Sequence, residues 1–300
     1  MRTLPKRTPD GPPPPPAVQR LRIRYAKRGR LRFTSHRDIQ RAFERALRRA
    51  AVPMAYSAGF SPHPKISWAG AAPTGTASEA EYVEIAVTRR VDPTALRASL
   101  DAALPPDLDI LEIVEAATPS LTDHLEASVW QIELPEVEPA EAKRAADAFL
   151  AAETVEVERL MKTGMRTFDT RSAVVSLNVL DSPAEAGHQS RSSACAILRV
   201  VVRHATPAVR PDDVLTGLGS VSGLVPPVAP RVTRLAQGPL VHGDGLHSAG
   251  LTSQTAPGAP ANAESAAGSG AWPVADPMAL DRSASANSGP SSIKTPVSGV

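Results

Sequence analysis

Between Arg20 and Phe33 the chain reads "RLRIRYAKRGRLRF", in which Leu21, Ile23 and Tyr25 alternate with Arg20, Arg22 and Arg24. A period of two puts the apolar residues on one face of a strand and the cations on the other. Gly29 then permits a turn, and the alternation around Leu31 and Phe33 predicts a second short strand. In "TSHRDIQRAFERALRRAAVP" the period changes. Ile39, Phe43, Ala46, Leu47 and Ala50 recur at helical spacing and fall within roughly a 100° stripe. Arg37, Arg41, Arg45, Arg48 and Arg49 lie on the other side of the wheel. Ser35 is expected to cap this helix with Asp38 at its third position, and Pro53 limits its end.

Further on, "EYVEIAV" predicts a strand, "DPTALRASLDAAL" a helix and "LDILEIVEA" a strand. The next portion repeats the order: strand "ASVWQIELP", helix "EPAEAKRAADAFLAA", strand "TVEVERL", then "SAVVSLNVL" and "ACAILRVVV" pairing across a polar loop from Asp181 to Ser193. "RPDDVLTGL" starts a short helix, with Pro211 early and two aspartates at its positive end, and a final strand runs from Pro230 to Leu235. The expected fold class is α+β: two tandem ferredoxin-like domains with antiparallel sheets, residues 20–118 and 119–237, followed by a disordered tail. Residues 1–19 and 238–300 are expected to be disordered, because Gly, Ser, Ala, Pro and Thr offer too little apolar surface to offset about 1–2 kcal/mol per ordered residue.

Composition sharpens this picture in two places. The chain is 42% hydrophobic but only 4% aromatic, so an aromatic residue in a loop stands out. The formal net charge of +2 hides a strong division: residues 20–49 hold twelve Arg or Lys against Asp38 and Glu44. One basic surface on an otherwise acidic chain points to a directed anion-binding face. The opening residues carry cations with no apolar run after them, and no later stretch is long enough for a bilayer, so a cytoplasmic location without a membrane partner is expected. Cys195 is the single cysteine, which excludes an internal disulfide and the three thiolates of an iron–sulfur cluster.

"SAGFSPHPKISWAG" gathers Phe60, Pro62, His63, Pro64, Lys65 and Trp68 in one segment. Gly59 and the prolines stiffen a turn, and His63 and Lys65 are suited to meeting an anion beside the arginine field. An RNA-binding reading follows, with arginines on phosphates and Tyr56, Phe60 or Trp68 stacking on unpaired bases or serving as core anchors. As read from the sequence, this recognition mechanism takes the arginine side of the helix and the histidine loop as one accessible surface; with the two apart, an RNA-binding role rests on the arginine helix alone. A minor alternative uses His36 and His63 as an acid–base pair in metal-independent RNA processing. Lys162, Arg166, Asp169, Arg171 and Arg210 form a possible second cluster, with Asp169 orienting a guanidinium or with ordinary turn salt bridges. No cofactor is expected.

The stretches "KRGRLRFTSHRDIQRAFERALRRA", "MAYSAGFSPHPKISWAG" and "TASEAEYVEI", followed by "MKTGMRTFDTR", "RPDDVL" and "RVTRL", resemble the radical-SAM-linked domain family of unknown function over residues 20 to 236. In that family the domain stands alone or is joined to a radical-SAM, cobalamin-binding enzyme. Its signatures fall here on Ser35, His36 and Asp38, on Tyr56, Ser57, Gly59, Phe60, Pro62, His63 and Pro64, and later on Lys162, Gly164, Phe168, Asp169, Arg171, Arg210, Pro211 and Asp212. The resemblance implies membership in the standalone form and lends no reaction; holding RNA for a separate enzyme is the expectation that the basic face adds to it. The alternative is a scaffold whose basic face docks a radical-SAM or RNA-processing partner.

Overall fold

The alternating arginine segment folds as strand β1 (Gln19–Lys27), followed by helix α1 (His36–Arg49), strands β2 (Ile66–Ala69) and β3 (Ala77–Val87), helix α2 (Pro93–Ala103) and strand β4 (Ile110–Glu115). In this computed structural model the described residues are 12–162, 164–180, 194–241 and 273–287. They divide into two units, one reaching Asp123 and resuming at Pro277, the other spanning His124–Asp276. In the first unit the strands lie in the order β4-β1-β3-β2, with every neighbouring pair antiparallel. Leu21, Ile23 and Tyr25 of β1 and Val83, Ile85 and Val87 of β3 bury against Ile39, Phe43 and Leu47 of α1 and Leu96 and Leu100 of α2. Each such side chain is worth about 1.5–3 kcal/mol, which outweighs the ~0.2–0.5 kcal/mol per pair that like charges cost along α1.

The start of α1 follows its sequence signal. Ser35 Oγ accepts from the Asp38 backbone N–H at 3.2 Å and donates to Asp38 Oδ2 at 2.7 Å. The helix ends well before Pro53, where Ala51 takes a left-handed φ of 50°. The expected strand around Leu31 and Phe33 is absent; Gly29–Phe33 instead form a 3-10 turn, with Gly29 at φ 48°. Four alternating residues are too few to separate a strand from a tight turn.

The second unit contains β5 (Ala127–Pro135), α3 (Pro139–Ala151), β6 (Glu156–Met161), β7 (Gly164–Asp169), β8 (Val174–Leu180), β9 (Cys195–Arg203), α4 (Pro211–Ser222) and β10 (Arg231–Gly238). Its sheet runs β10-β5-β9-β8, again antiparallel throughout. The expected pairing of β8 with β9 is present, whereas β6 leaves the sheet and pairs only with β7, a strand the sequence pattern did not suggest. Helix α4 approaches so closely at Gly217 that an added Cβ would lie 2.9 Å from the Phe149 ring and 3.0 Å from Val155.

The expectation of disorder from residue 238 onward fails at residues 273–287. Leu240 bridges to Val274 within the second unit. In the first, α5 (Ala279–Asn287) places Asp281 at full burial. Asp281 accepts from Arg22 Nη1 at 2.6 Å and from the backbone N–H groups of Ala117 and Thr118 at 2.8 and 3.0 Å. A buried carboxylate held by Arg22 and by the backbone of Ala117 and Thr118, together with buried Val274 and Met278, supplies what average tail composition conceals. The expected polar loop from Asp181, the opening residues 1–11 and the remainder of the tail lie outside the described residues. Gln19, expected in the disordered N-terminus, is buried in β1. No described helix is long and apolar enough to cross a membrane.

Candidate nucleic-acid interface

Burial of Ile39, Phe43, Ala46 and Leu47 turns the opposite side of α1 outward, and Arg37, Arg41, Arg45, Arg48 and Arg49 are all exposed. Arg41 reaches Asp38 at 3.3 Å, and Arg49 donates to the Ala103 carbonyl at 3.0 Å. Among the described residues no carboxylate lies within ion-pair reach of Arg37, Arg45 or Arg48. The Ser35 hydroxyl, followed by Arg41 and Arg37, holds the Asp38 carboxyl below its ordinary range. Phe33 stands beside the start of α1, 60% exposed, with the Arg32 guanidinium 4.7 Å from its ring centroid. Sequence periodicity assigned Phe33 to a strand and so missed it. The signal available was an aromatic residue closing a run of alternate arginines, Arg30 and Arg32, in "GRLRF".

His36 is half-buried at the first position of α1. Its ring meets Trp68 edge-on at 5.2 Å and its Nε2 lies 3.0 Å from Gln40 Nε2. Burial, more than any neighbouring charge, lowers its pKa from the ordinary imidazole value. Trp68 also packs 5.2 Å from Phe43 and 6.1 Å from Tyr25, so it serves as a partly buried core anchor.

The loop after Tyr56 closes on itself. Tyr56 bridges to Pro64, Ser57 N–H donates to the His63 carbonyl at 2.8 Å, and His63 N–H donates to Ser57 Oγ at 3.0 Å. Gly59 sits at φ 131°, a conformation few other residues adopt. Phe60 is 70% exposed, while Pro62, His63 and Lys65 are also exposed. Ile66 and Trp68 turn into the core beneath α1, so the alternation of the extended segment sends His63, Lys65 and Ser67 the other way. There they line a cleft of about 320 Å³ with Arg20, Ser57, Glu84 and Ala86, to which Pro64, Ile66 and Ile85 also contribute. The single surface expected from the arginines and the histidine loop is therefore not formed: α1 covers one face of the sheet, and His63 and Lys65 open on the opposite one. His36 and His63 are separated in the same way, so the expected acid–base pair is not assembled.

In the second unit, Lys162 and Arg166 are exposed on the β6–β7 hairpin. Asp169 does not orient a guanidinium. Its carboxylate accepts from the backbone N–H groups of Val155 and Arg171, each at 2.9 Å, and of Ser172 at 3.1 Å. Burial pushes this carboxyl upward, but those donors together outweigh it and hold the pKa below the ordinary value. Arg171 spends its donors on the carbonyls of Leu150 and Val174 at 3.3 and 3.2 Å. Arg210 precedes α4, where its backbone N–H donates to Asp213 at 2.7 Å. The guanidinium that pairs with Asp213 belongs to Arg159, a residue the sequence did not single out; it also stands 4.9 Å over the Phe168 ring. Arg171 is thus a brace, and Asp169 a clamp on its neighbouring backbone.

An antiparallel α+β protein with a cation-bearing helix is what these features define. The family described as an uncharacterized protein conserved in bacteria (DUF2344) matches residues 20–211, and the chain belongs to it. No curated protein matches the chain.

Proposed function

We propose that the first unit binds single-stranded RNA through the arginine side of α1, as a non-catalytic accessory protein of an RNA-containing complex. The carrying observation is that Arg37, Arg45 and Arg48 are exposed and, among the described residues, have no carboxylate within ion-pair reach. From Arg37 to Arg49 the helix rises roughly 18 Å at about 1.5 Å per residue, enough to follow several phosphates of one strand. Phe33, backed by Arg32, offers a ring on which a base can stack. The strand orders β4-β1-β3-β2 and β10-β5-β9-β8 support a ferredoxin-like reading of each unit, with β6 and β7 inserted into the second.

A salt titration of RNA affinity tests the proposal. Five phosphate contacts give a log–log slope near about −3.5, and reversing charge at Arg41 and Arg45 weakens several RNAs alike. Affinity indifferent to salt and to both reversals would refute it.

A second reading has its own observation. Leu160 and Met165 lie directly opposite each other on the β6–β7 hairpin, 74% and 60% exposed, beside Lys162. Such an apolar pair suits docking to a separate enzyme, of the radical-SAM or RNA-processing kind, and that complex would survive high salt better than one held by phosphates.

A further inference from the structure

We propose that the cleft on the sheet face opposite α1 binds a small phosphomonoester of about mononucleotide size. Three alternate residues of one extended segment, His63, Lys65 and Ser67, face it, and the segment is fixed by hydrogen bonds from Lys65 N–H to the Ala55 carbonyl and from Ala86 N–H to the Lys65 carbonyl, at 2.8 and 3.1 Å. Arg20 closes the opposite side. Both of its hydrogen bonds, to Glu84 and to the Pro119 carbonyl, use Nη1 at 3.4 and 3.3 Å, leaving Nη2 and Nε for a ligand. Ser57 Oγ accepts from His63 N–H, so its own proton remains available to donate. The one carboxylate present, Glu84, is already held by Arg22 at 3.0 Å as well as by Arg20. Ala86 contributes only a methyl group to the lining, which leaves room above β3.

Guanidinium, ammonium, imidazole and hydroxyl groups lining one cleft suit the three oxygens of a terminal phosphate. The cleft volume of about 320 Å³ lies at the lower end of small-molecule sites, about 300–1,000 Å³. The α1 arginines are spread along a helix and follow a strand; this cleft gathers its donors around a single group. The two sites lie on opposite faces and are separable by experiment.

The test titrates the full chain with adenosine monophosphate, inorganic phosphate and adenosine, following backbone amides by NMR. The monophosphate is expected to shift Ser57, His63, Lys65 and Ser67 without moving the α1 amides, and to bind more tightly than phosphate, while adenosine leaves all four unmoved. Lys65→Ala and Arg20→Gln should each weaken binding about tenfold, the scale of a charge-assisted hydrogen bond, and Lys65→Arg should restore part of it. Melting followed by circular dichroism checks that these exposed variants stay folded. Equal effects of adenosine and its monophosphate, phosphate binding as tight as the nucleotide, or shifts confined to α1 would each overturn the assignment. None of these outcomes depends on whether RNA binds α1.

Discussion

The arginines of α1 and those of the second unit are employed differently. Arg159 is fixed between Asp213 and the Ala208 carbonyl, and Arg171 spans two carbonyls, whereas Arg37, Arg45 and Arg48 stand exposed with no carboxylate in ion-pair reach among the described residues. A guanidinium tied to its own chain holds the fold together; one left in water keeps its donors for a partner. The number of arginines in a sequence therefore measures a binding surface poorly. What counts is how many remain unclaimed after folding.

The contrast can be broken most sharply at Arg159. Arg159→Ala leaves Asp213, whose side chain is 7% exposed, without its ion-pair partner and with only the Arg210 backbone N–H and the more distant Arg210 charge, and should cost up to roughly 3 kcal/mol in urea unfolding. RNA affinity should not change; a loss of binding with intact stability would place Arg159 on the wrong side of the comparison. Next in size is Asp169→Ala, which strips three backbone N–H groups of their acceptor and should cost about 1–3 kcal/mol. Because folding lowers the Asp169 pKa, its stabilisation is present above the ordinary carboxylate range and is lost as pH falls through the folded value. Asp169→Asn should accordingly flatten the acid limb of the stability profile.

Replacing Arg37, Arg45 and Arg48 with alanine should do the reverse. The salt slope for RNA should become shallower by about 2, with stability changed by no more than about 0.5 kcal/mol. A cooperative loss of folding would show that these side chains are structural. The smallest effect is expected at His36. Burial lowers its pKa, so the unfolded chain takes the proton first, and stability should rise with pH through the ordinary imidazole range. His36→Gln should remove that slope, leaving RNA affinity unaltered.

Much of this architecture was legible where periodic segments were long. The stripe from Ile39 to Ala50, the Ser35 cap and the pairing of β8 with β9 all follow from patterns that repeat at least three times or carry a specific end signal. Short alternations misled: Leu31 and Phe33 mimic a strand inside a 3-10 turn. The candidate site was legible as a helix face, because helical spacing alone sorts the arginines from the apolar residues. It was not legible as a joint surface. Which side of the sheet receives His63 and Lys65 depends on Ile66 and Trp68 turning beneath α1, a register that appears only once β2 pairs with β3. Asp281 was hidden for a related reason: its partner Arg22 lies 259 residues away, beyond the reach of any local pattern.

That distant carboxylate bears on where the gene should be cut for laboratory expression. The family match stops at Pro211, yet Arg22, deep in the first unit, pairs with Asp281 as well as with Glu84. A fragment trimmed to the matched region would keep Glu84 but lose the buried carboxylate on Arg22, and should melt early for reasons unrelated to its ligand-binding properties. Clones intended for crystallisation or affinity work should therefore extend through Asn287.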